Sequence, residues 1–136
     1  MVRAALLAAC CAAATPLAAQ DAPRLGLTLA GAAPEGAACR LSFLAENGLG
    51  ADLSALVLEA VVFPKAGEVE RLMLLDFRDL PAGKPRLRQF DLAGTDCGTI
   101  GQVLINGATR CEGVAEGACI GALAPASRVA GMEVTG

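Results

Sequence analysis

Apolar and polar residues alternate along most of this chain, with the two-residue period of half-buried strands. Leu25, Leu27 and Leu29 alternate with Gly26 and Thr28, which predicts a first strand over 24–29. The small residues of 31–38, with Pro34 and Gly36, read as a loop. Cys39, Leu41, Phe43 and Ala45 share one side of a second strand over 39–46. Asn47, Gly48 and Gly50 follow as turn residues, because such positions tolerate positive φ. The third strand, 53–63, is apolar on both sides: Leu56, Leu58, Ala60 and Val62 on one, Val57, Val61 and Phe63 with Glu59 on the other. That pattern predicts a central strand covered on two faces or lying at a dimer contact. Its valines and the stop at Pro64 separate it from a helix.

A turn at Pro64–Lys65–Ala66–Gly67 leads into a fourth strand over 69–77, so the two form a hairpin. Pro81–Ala82–Gly83 turns the chain into a fifth strand, 85–92; 101–111 and 127–134 supply the last two. About seven strands separated by turn residues define an all-β chain, an immunoglobulin-like antiparallel sandwich.

The first residues have a different character. One charge at Arg3, an apolar run from Ala4 to Ala14, and small residues up to Ala19 form the layout of a secretory signal peptide over 1–19. The remaining 20–136 then make a single sandwich domain in the periplasm or outside the cell, with no transmembrane segment. The run is too short for a span, which takes about 20 apolar residues. Leu7–Ala8–Ala9–Cys10 matches a lipobox, but the apolar stretch before Cys10 is too short to favour lipid anchoring there.

Loss of the leader leaves Cys39, Cys97, Cys111 and Cys119. An even count in an exported chain reads as two disulfides. In the immunoglobulin-like order the second and sixth strands face each other, which favours 39–97 with 111–119; three connectivities stay open. These cysteines have neither the spacing nor the histidine partners of a zinc site.

Composition removes further chemistry. The chain of 136 residues has no His, Trp or Tyr, and its net charge is −3. Without His there is no histidine-based triad, and without a basic excess there is no nucleic-acid footprint. No catalytic residue, metal or cofactor site is predicted. Asp76 with Asp79, and Asp91 with Asp96, are candidate carboxylate pairs; the ordinary reading of each is turn and strand-end charge. Ser42, Ser54 and Ser127 lack an activating base. Lys84, Arg86 and Arg88 recur at alternate positions and would share one strand face. They form a candidate strip for an acidic partner or a membrane surface, set against the plainer reading of a solvated outer face that blunts edge pairing.

The segments CRLSFLAEN (Cys39 to Asn47), LLDFRDLPAG (Leu74 to Gly83) and RQFDL (Arg88 to Leu92), with Cys97, Ile100, LIN (Leu104 to Asn106) and Cys111, resemble a family of small exported proteobacterial proteins of unassigned function, catalogued as Tat pathway signal sequence domain proteins. The lone Arg3 departs from the twin-arginine pattern of that label. A weaker likeness, the Leu-Pro-x-Gly turn followed by a Phe-bearing strand, is to FxLYD-type sandwich domains. Neither resemblance implies a catalytic residue. The expectation is a non-enzymatic periplasmic protein-binding or accessory module. The alternative is a small secreted inhibitor or accessory subunit acting through the disulfide-flanked loop 112–118 or the turn at 81–85.

Overall fold

The computed structural model describes residues 16–17, 21–69 and 71–136. The signal-peptide and Cys10 readings therefore lie almost wholly outside the described residues. Eight strands run in chain order: β1 Arg24–Glu35, β2 Ala38–Gly48, β3 Leu53–Pro64, β4 Arg71–Leu80, β5 Arg86–Ala93, β6 Ile100–Glu112, β7 Leu123–Ser127 and β8 Glu133–Thr135. A short helix, α1 Ala118–Gly121, precedes β7. They form two four-stranded sheets, ordered β5-β2-β1-β7 and β4-β3-β6-β8. The protein is an all-β sandwich. With β1, β2 and β5 facing β3, β4 and β6, the first six strands follow the immunoglobulin-like order.

The alternation read from the sequence sets the core. Leu25, Leu27, Leu29, Cys39, Leu41 and Phe43 turn inward from one sheet; Leu56, Leu58, Ala60, Val62, Leu75 and Phe77 turn inward from the other. Three rings meet edge to face near one side of the sandwich. Phe77 and Phe90 lie 5.4 Å apart, and Phe43 stands 6.2 Å from Phe90. Such contacts add attraction to the area they bury.

Four expectations are corrected. Residues 31–35 continue β1 through Pro34 instead of forming a loop. On its far side β1 pairs with β7 only from Leu25 to Leu29, so beyond that point it is an edge, where a proline removes no ladder donor. Asn47 and Gly48 end β2 and lack positive φ; only Gly50, at 84°, turns left-handed. The fourth strand runs past 77 to Leu80, because a bulge keeps it paired to β3. A single strand over 127–134 does not form. Gly131, with φ of 76°, turns the chain from β7, parallel to β1, into β8, parallel to β6. The chain changes sheets there, which alternation along one segment cannot reveal.

Two disulfides brace this arrangement. Cys39 at the start of β2 is bonded to Cys97 in the 3-10 turn before β6, and Cys111 of β6 to Cys119 of α1. Such bonds persist in oxidising compartments. Among the described residues no helix is long and apolar enough to cross a membrane.

Candidate functional site in the seam between two edge strands

The edge strands β4 and β5 belong to different sheets, and arginines lace them together. Arg88 Nε of β5 donates to the Phe77 carbonyl of β4 at 3.3 Å. In the other direction, Arg71 Nη2 of β4 donates to the Ala93 carbonyl at 2.9 Å. Along this seam lies an open hollow of about 430 Å³, lined by Asp76, Arg78, Arg88, Gln89 and Phe90.

The predicted strip Lys84, Arg86 and Arg88 is only partly one surface. Lys84 is exposed in the turn before β5. Arg86 and Arg88 are half-buried and share their side of β5 with Phe90 and buried Leu92, while Leu87 and Gln89 are exposed. They face the sandwich seam, not a solvated outer face. The parity of Phe90 and Leu92 carried that signal, since residues two apart share a face. Arginine suits the position because its aliphatic stem can lie on apolar surface while the guanidinium reaches outward.

Arg78 is the residue that composition and alternation did not single out. Its φ is 60°, the one positive value at a non-glycine position among the described residues. Pairing of β3 with β4 shifts from Val57 opposite Asp76 to Leu56 opposite Arg78, so Phe77 is the extra residue of a bulge. Bulges bend a strand and re-aim its side chains. Here the main-chain N–H of Arg78 donates to Asp76 Oδ1 at 2.8 Å, fixing the bulge. Both strand edges are blunted at the same place, by the bulge and by the Arg88 bond to Phe77.

The seam is rich in cations that, among the described residues, form no ion pair. The ion pairs seen among the described residues join Arg40 to Glu35 and Asp91, and Arg110 to Glu112. None involves Arg71, Arg78, Lys84, Arg86 or Arg88. Asp76 is the one carboxylate lining the hollow, and one of its oxygens already accepts the Arg78 N–H.

The other candidate groups have structural partners. Asp91 sits in a fork–fork pair with Arg40, at 2.7 and 2.9 Å. Hydrogen bonds from Arg40 hold its carboxyl below the usual carboxylate range, and the same bonds raise the Arg40 guanidinium. Asp96 caps the 3-10 turn through the Gly98 N–H, and Asp79 is exposed. Ser42 accepts from Gln89, Ser54 donates to the Glu112 carbonyl, and Ser127 accepts from the Val129 N–H. Among the described residues no group of three or more metal-ligating side chains comes together. A second hollow, of about 490 Å³ beside Arg24, Glu46 and Asn47, has its amide engaged: Asn47 binds Ala51, Leu80 and Leu49.

Compared with known protein families, curated proteins and solved structures, the chain finds no match.

Proposed function

We propose that the protein is a non-enzymatic periplasmic binding module that takes a protein segment along the β4–β5 seam. The observation that carries this reading is an open hollow in which two arginines, one half-buried and one exposed, share a single carboxylate, Asp76, and form no ion pair among the described residues. Cations beside the half-buried ring of Phe90 offer a partner both steering charge and some apolar contact. The two disulfides agree with an exported protein. No reaction is needed to account for Asp91, Asp96 or the serines, whose hydrogen bonds stay within the fold. The alternative loop, 112–118, turns its Val114 against the core and brings together no cluster of cations like that of the seam.

A photoreactive residue placed at Gln89, beside the hollow, tests the reading in living cells, with one at Glu133 on β8 as the control. A protein adduct from position 89 and none from 133 is the expected result. Equal labelling at both positions, or none at 89, overturns it.

A further inference from the structure

We infer that the hollow recognises a carboxylate on an extended peptide, held between Arg78 and Arg88 with a neighbouring apolar side chain on Phe90. This rests on the seam being the binding site. Three independent features converge on it. Arg78 keeps a left-handed backbone that costs a non-glycine residue about 1 kcal/mol or more, a conformation glycine would adopt freely. The side chain this strained backbone carries goes into the lining of the hollow. Arg88, the second cation, is half-buried and bonded only to carbonyls, of Phe77 and Leu87, both at 3.3 Å. Those long bonds go to neutral acceptors, Asp76 is the one negative charge facing two guanidinium groups, and a carboxylate makes shorter and stronger bonds to a guanidinium than a carbonyl does.

The floor favours a peptide over a free anion. Phe90 packs on Phe77 and Phe43 within the fold, yet remains half-buried at the hollow. A ligand that alternates acidic and aliphatic residues matches this surface, whereas a free phosphate would use only the arginines.

The experiment is a titration of the intact, disulfide-bonded protein with short labelled peptides alternating Glu with Val, and Lys with Val, and with inorganic phosphate. The Glu peptide should bind, weaken as salt rises, and lose about tenfold in affinity in Arg88→Gln. Arg78→Gly is the sharper variant, since it relieves the backbone while removing the guanidinium: it should bind about tenfold more weakly and be no less stable. Equal binding of the Lys peptide, or full affinity in both variants, would overturn the inference. So would phosphate displacing the Glu peptide completely at equal concentration. A cross-link at position 89 to a partner whose bound segment lacks acidic residues would sink the carboxylate and leave the binding seam standing.

Discussion

Asp76 holds Arg78 by its main chain: one carboxylate oxygen accepts the Arg78 N–H at 2.8 Å, and the arginine is fixed with φ of 60°. The bond spans two residues and closes a turn inside a strand, as short acidic side chains do elsewhere in loops. Because it uses the backbone N–H, it survives any change of side chain at 78 except to proline. Arg78→Gly should therefore stabilise the fold by about 0.5 kcal/mol, the left-handed penalty of about 1–2 kcal/mol less the roughly 0.5–1 kcal/mol of added freedom in the unfolded chain. Chemical denaturation of the two proteins measures this. A loss of stability would mean that the Arg78 side chain, not the Asp76 bond, maintains the bulge.

Asn47 is the buried polar tie at the nearby end of β4. It is 3 % exposed; its amide donates to the carbonyls of Ala51 and Leu80, each at 2.8 Å, and its carbonyl oxygen accepts from the Leu49 N–H at 2.9 Å. It thus ties the β2–β3 turn to the end of β4. Asn47→Ala leaves three main-chain groups without that partner, and should cost about 2–3 kcal/mol, since orphaned buried groups lose their full solvation. A midpoint in urea unchanged from the parent protein would contradict that accounting.

These two residues mark where the sequence is readable and where it stops. Alternation in β1, β2 and β3 revealed which leucines and valines enter the core, because period two depends on local geometry alone. Asn47 followed by Gly looked like a turn. What decides its role is Leu80, 33 positions away. Gly48 has a long-range reason as well: a Cβ there would lie 2.8 Å from the Arg24 carbonyl oxygen. The inward turn of Arg86 and Arg88 was present in the parity with Phe90 and Leu92, but basic residues at alternate positions draw attention to solvent instead. Nothing local sets Arg78 apart, since its left-handed backbone comes from a register shift against β3.

The two disulfides should contribute unequally. Cys39 and Cys97 are separated by 58 residues, Cys111 and Cys119 by 8. Chain-entropy scaling gives about 4 kcal/mol for closing the longer loop and about 2.5 kcal/mol for the shorter. The paired replacement Cys39→Ala with Cys97→Ala should therefore be the more damaging; burial does not separate the pairs, since Cys39 and Cys119 are both fully buried. Thermal unfolding of each double variant distinguishes them; a larger loss from the 111–119 pair would show that anchoring α1 matters more than chain length.

The Arg40–Asp91 pair predicts a pH dependence with a definite sign. Arg40 grips both carboxylate oxygens of Asp91 across β2 and β5, and the bond lowers the Asp91 pKa in the folded protein. A carboxyl whose folded pKa is depressed contributes stability that is complete above its unfolded pKa of about 3.9. That contribution falls away as pH drops through the lower folded value, when both states carry the proton. Asp91→Asn should accordingly be slightly less stable than the parent at pH 7, and the gap should close below pH of about 4. Since both side chains are open to water, added salt at pH 7 should narrow the gap as well. Parallel denaturation series at pH 7 and pH 3, with and without salt, test this; a gap that persists undiminished at low pH would assign the effect of Asp91 to packing on β5 rather than to its charge.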